Sequence, residues 1–76
     1  MRYFFDIKDG EHLTDEFGAD YESADDALHE AARAAVAIAE DDLVPRGGGK
    51  LEIHVREFER QIGTVTIRMD IKKNTT

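Results

Sequence analysis

Residues 24–42 constrain this chain most, because they repeat with helical period and most of their apolar positions are alanine. At about 100° per residue, Ala24, Leu28, Ala31, Ala32, Ala35, Ala39 and Leu43 fall on one broad face flanked by Val36 and Ile38. Asp26, His29, Glu30, Arg33, Glu40 and Asp41 fall on the opposite face. A stripe of alanine cannot fill a core by itself. It permits close approach of another surface, and that surface must bring the large side chains. Ser23 is the expected N-cap, with its hydroxyl placed to accept the N–H of Asp26, which itself sits at the capping-box position. Pro45 is expected to stop the helix, and Gly47, Gly48 and Gly49 to form a flexible connector.

The large side chains come from segments that alternate with a period of two. Tyr3, Phe5 and Ile7 oppose Arg2, Phe4, Asp6 and Lys8. Asp9-Gly10 is a type I′ hairpin signal, with a short return strand over residues 11–15 and a second turn or bulge at Glu16, Phe17 and Gly18. Beyond the helix, Leu51, Ile53 and Val55 oppose Glu52, His54, Arg56 and Phe58. After a turn at Glu59, Arg60 and Gln61, the residues Val65, Ile67, Met69 and Ile71 oppose Thr64, Thr66, Arg68, Asp70 and Lys72. One apolar face per strand fits an antiparallel sheet covered on one side. The expected architecture is α+β, in the order β-β-α-β-β, with one amphipathic helix packed on one face of an antiparallel sheet. Residues 1–76 form one domain: an N-terminal hairpin (1–22), a helix (23–44), a glycine-rich connector (45–50), a C-terminal hairpin (51–72) and a tail (73–76). The expected core is Tyr3, Phe5, Ile7, Leu13, Leu28, Ala31, Ala35, Ile38, Leu51, Ile53, Val55, Val65, Ile67 and Met69. The pattern leaves strand order open.

With 76 residues there is room for one core. A chain of this size buries only about 60% of the surface it exposes when unfolded, so its stability margin is thin. There is no cysteine, which excludes disulfides and thiolate zinc sites and fits a reducing compartment. Among the usual supplements to a small core, a second subunit remains. A homodimer is expected, joined by a sheet edge or the open face, with exchange of the C-terminal hairpin as one route. The net charge of −7 opposes binding to bulk nucleic acid or anionic membrane. No stretch has the length of a membrane span and no secretory signal opens the chain, so a cytoplasmic location is expected.

Four groupings could carry chemistry. The acidic hairpin residues Asp6, Asp9, Glu11, Asp15, Glu16 and Asp20 do not match the calcium-loop spacing, and a solvated acidic hairpin is the expectation. His12, His29 and His54 form no local metal pair, and Lys50 after the glycines lacks the strand-loop-helix context of a phosphate loop. No catalytic, cofactor-binding or metal-binding residues are assigned, and no enzyme activity is expected. The uncovered sheet face mixes Arg2, Phe4, Lys8, Arg56, Phe58, Arg68 and Lys72 with acids, as ordinary cross-strand pairing would. On that face Phe4 is expected to stand exposed, and Phe4, Arg56, Phe58 and Arg68 are the interface candidates.

The opening Arg2-Tyr3-Phe4-Phe5-Asp6-Ile7-Lys8-Asp9-Gly10, followed by Asp15-Glu16-Phe17-Gly18 and the alanine-rich helix, resembles a family of short alphaproteobacterial proteins that carry a domain of unknown function. The resemblance implies a small cytoplasmic protein and brings no catalytic residues with it. A looser likeness is to the antitoxin half of HicA–HicB-type pairs, which also open with an aromatic strand, a hairpin turn and an alanine-rich helix. The expected role is a homodimeric protein-interaction or accessory module. The alternative is a small regulatory protein that binds nucleic acid or a toxin partner.

Overall fold

The computed structural model describes residues 1–75; Thr76, the end of the expected tail, lies outside the described residues. The chain forms β1 (Arg2–Asp9), β2 (Glu11–Leu13), β3 (Ala19–Asp20), α1 (Ala24–Arg46), β4 (Gly48–Glu57) and β5 (Arg60–Asp70). The antiparallel sheet runs β2-β1-β4-β5, and β3 pairs with the start of β1. One helix on one antiparallel sheet is the α+β architecture that the periodicity implied.

The register fixes the two faces. Ile7, Ile53 and Val65 lie in one row, and Leu51 pairs with Ile67. Asp6, His54 and Thr64 form a row of the opposite parity, as do Lys8, Glu52 and Thr66. The apolar rows lie beneath α1. Leu51, Ile53 and Val55 on central β4 are fully buried against Ala27, Ala31, Ala35, Ala39 and Leu43, which recur every fourth residue along the helix. Tyr3 is also buried there, while Phe5, Ile7, Leu28, Ile38, Val65, Ile67 and Met69 pack around the rim.

Four local expectations differ from what is found. The hairpin after β1 is not a type I′ turn, since only Gly10 has positive φ and Asp9 does not. Leu13 is 61% exposed rather than in the core. It sits on the outermost strand, while α1 lies over β4 and β5. Pro45 does not stop the helix, which continues through it to Arg46. Pro45 is in the last turn, where the carbonyl it deprives of a partner is near exposed chain. Leu43, two residues before Pro45, is fully buried, and the helix is capped by Gly47, whose N–H bonds back to the Leu43 and Val44 carbonyls. The connector expected over residues 45–50 has no slack. Gly48 and Gly49 are the first residues of β4 and pair with Asp70 and Met69. A Cβ on Gly48, at φ 119°, would lie 2.6 Å from the Met69 carbonyl oxygen. The Ser23 cap is as expected, accepting the Asp26 N–H at 3.1 Å.

Candidate functional site

The interface candidates separate into a cluster and an outlier. Phe4 and Arg56 are cross-strand partners on the face away from the helix, and Phe58 follows in the turn between β4 and β5. Arg56 Nε donates to Asp6 Oδ2 at 2.7 Å and Nη2 reaches Asp6 Oδ1 at 3.3 Å. Nη2 also donates to the Asp15 carbonyl and Nη1 to the Phe58 carbonyl, each at 2.7 Å. The guanidinium carbon lies 4.6 Å from the centre of the Phe4 ring, and the Phe58 ring lies 5.4 Å from it. Phe4 is therefore only 8% exposed. The expectation of an exposed Phe4 is corrected, because Arg56, Phe58 and the segment after β2 close over it.

That segment is held by Asp15. Its carboxylate accepts the backbone N–H groups of Phe5, Phe17 and Gly18, each at 3.0 Å, while the Asp15 N–H donates to Asp6 Oδ1 at 2.9 Å. Gly18 is required here, since a Cβ would lie 2.8 Å from the Tyr3 oxygen and 2.9 Å from the Phe4 ring. Burial alone would raise the Asp6 carboxyl, but the hydrogen bonds from Arg56 and the Asp15 N–H outweigh it and hold it below the usual range. Burial is outweighed likewise at Asp15, by the N–H groups of Gly18, Phe5 and Phe17. Bonding to Asp6 raises the Arg56 pKa. These are fixed, mutually satisfied charges, and their arrangement joins the N-terminal segment to the sheet.

The remaining polar residues divide among separate contacts. Gln61 Nε2 faces His54 Nδ1 at 2.9 Å, leaving Nε2 to donate to Glu52 at 3.0 Å. Both ring nitrogens are occupied, which leaves the His54–carboxylate pair no free nitrogen for general-base work. Asp9 lies 3.0 Å from Arg46, although its buried Oδ1 is out of line for a hydrogen bond. The neighbouring Asp42 carboxyl and the Arg46 guanidinium hold the Asp9 carboxyl low, and the nearby Asp9 pushes the Asp42 carboxyl up. Asp20 pairs with Arg2. The acidic hairpin is thus dispersed, and among the described residues no three metal-ligating side chains converge.

Arg68 stands apart. It is exposed on the outer face of β5, opposite Lys50, a like-charged neighbour that gives it no stabilising pair. Phe58 is 62% exposed and has φ 54°, a left-handed conformation that a bulky side chain rarely adopts. Sequence reasoning missed Asp6 and Asp15 as the partners of Arg56. The spacing of 50 residues between Asp6 and Arg56 gives no local signal; only the alternation that put both on the outer face pointed toward a meeting.

β5 has a different character. It pairs only with β4, so its other edge is bare among the described residues. The strand is 11 residues long, and past the β-bulge opposite Val55 and Arg56 its residues Gly63, Thr64, Val65, Thr66 and Ile67 carry no charge. Exposed edges template pairing with another chain unless charge, proline, a bulge or a covering segment blunts them, and the stretch from Gly63 to Ile67 lies beyond the bulge. No helix of the described residues is long and apolar enough to cross a membrane.

The fold and these surfaces define a small α+β domain with an unpaired sheet edge. The chain belongs to the family described as Domain of unknown function (DUF6894), whose model matches residues 2–68. That match spans both hairpins and the helix, from the first residue of β1 to Arg68. No curated protein and no solved structure matches the chain.

Proposed function

We propose that the protein is a non-enzymatic homodimeric interaction module whose working surface is a free sheet edge. The bare, uncharged length of β5 supports this reading most strongly. The thin core of a 76-residue chain without disulfides adds to it, since a second copy supplies burial that the monomer lacks. Of the outer-face candidates, Phe4 and Arg56 are engaged within the subunit, while Phe58 and Arg68 are free to contact a partner. Light scattering at high micromolar concentration should give about twice the 8.6 kDa chain mass. A mass of one chain under those conditions would overturn the dimer. Salt provides a second check. Two copies of net charge −7 repel, so raising ionic strength should strengthen self-association, whereas a nucleic-acid complex would weaken.

A further inference from the structure

The placement of α1 over β4 and β5 says how a second copy fits. We propose that two chains join antiparallel through β5, about a twofold axis normal to the sheet, forming one continuous sheet with both α1 helices side by side on the same face. This rests on the dimer reading above and names its surface.

Helix spacing is the first argument. α1 lies over β4 and β5: Leu28 is over Gly63 of β5, and Leu43 is beside Gly49 of β4. Neighbouring strands are about 4.8 Å apart, so a helix centred between β4 and β5 stands about 4.8 Å from a twofold axis placed just beyond β5. The two helix axes then lie about 9.6 Å apart, within the roughly 8–10 Å of directly packed helices. Joining the edges therefore brings the helices into contact without moving either one.

The side chains at that seam are the second argument. Leu28, Ala32 and Val36 follow one another at four-residue spacing on the flank of α1 that faces β5. Val36 is 61% exposed in the single chain, and Val65, Ile67 and Met69 below it are only partly covered. Ala32, in the middle of the flank, lets the helices approach, and Val36 fills the space beside it.

The third argument is the register. Setting Val65 against its own copy places Thr64 opposite Thr66 twice on the outer face, a favourable cross-strand pair of β-branched hydroxyl residues. A register centred on Arg68 would set like charges against each other, which restricts sliding.

The absence of native cysteine makes the test direct. Thr64→Cys and Thr66→Cys chains should be mixed and mildly oxidised, with Glu16→Cys as a control far from the seam. The mixture should form the Thr64–Thr66 disulfide predominantly, because directly opposed Cα atoms in antiparallel strands lie about 4.5–5.5 Å apart, within bridging range. The control should stay reduced. A dimeric mass without that disulfide would overturn this interface and leave the dimer standing; a monomeric mass would overturn both. Val36→Glu, on an exposed position, should weaken dimerisation at least tenfold with the fold kept by circular dichroism. An unchanged dimer would overturn the helix contact.

Discussion

Replacing Arg56 by alanine should cost the fold about 3 kcal/mol. The substitution removes four hydrogen bonds and the cover over Phe4 in one step. Asp6 would keep only the Asp15 N–H, with its side chain 14% exposed. Breaking a fully buried ion pair costs about 3–5 kcal/mol, because the remaining charge has no partner. Here the Arg56 side chain is 22% exposed and water reaches the edge of the pair, so about 2 kcal/mol is the appropriate share. Loss of the guanidinium from the Phe4 ring adds roughly 0.5–1 kcal/mol. The total is a large part of the roughly 4–11 kcal/mol expected of a domain this size. It should lower Tm by about 12–24 °C. Urea unfolding followed by circular dichroism, at one fixed protein concentration, should show a lower midpoint with unchanged slope. Arg56→Lys should recover only part of the loss, since an ammonium group cannot span Asp6 and two carbonyls at once. A cycle of Asp6→Asn and Arg56→Met should give a coupling of at least about 1 kcal/mol. An Arg56→Ala loss below about 1 kcal/mol together with no coupling would refute the reasoning, because the cluster would then be solvated and without net effect.

Two further outcomes follow from the same geometry. Asp6 and Asp15 have folded pKa values below their ordinary ones, so their stabilisation is fully present above about pH 4 and is lost as pH falls through the depressed values. Midpoints of urea unfolding should therefore drop across that acidic range, and Asp6→Asn should flatten the decline; an equally steep decline in the variant would exclude Asp6 as its source. Gly48→Ala should destabilise the protein by more than about 1 kcal/mol, because its φ of 119° and the Met69 carbonyl leave no room for a Cβ. A neutral result in thermal melts would show that the start of β4 is loose, as a flexible connector would be.

Alternation and helical period determined a great deal without any tertiary information. They set Val65, Ile67 and Met69 on the helix side and Thr64, Thr66 and Arg68 on the other, and the register agrees. Ser23 was readable because a cap is a contact across three residues. The same reasoning failed where the deciding neighbour is distant in sequence. Alternation put Phe4 on the outer face, yet its burial depends on Arg56, Phe58 and a segment fastened by Asp15. Pro45 reads as a helix stop by local rule, but buried Leu43 and the cap at Gly47 carry the helix through it to Arg46. Leu13 has the right parity for a core position but lies on a strand that the helix does not reach. Periodicity along a chain fixes which way each side chain points. Which strand lies alongside, how far a helix extends over it, and which edge is left bare are set by contacts between segments tens of residues apart, and only the folded structure decides them.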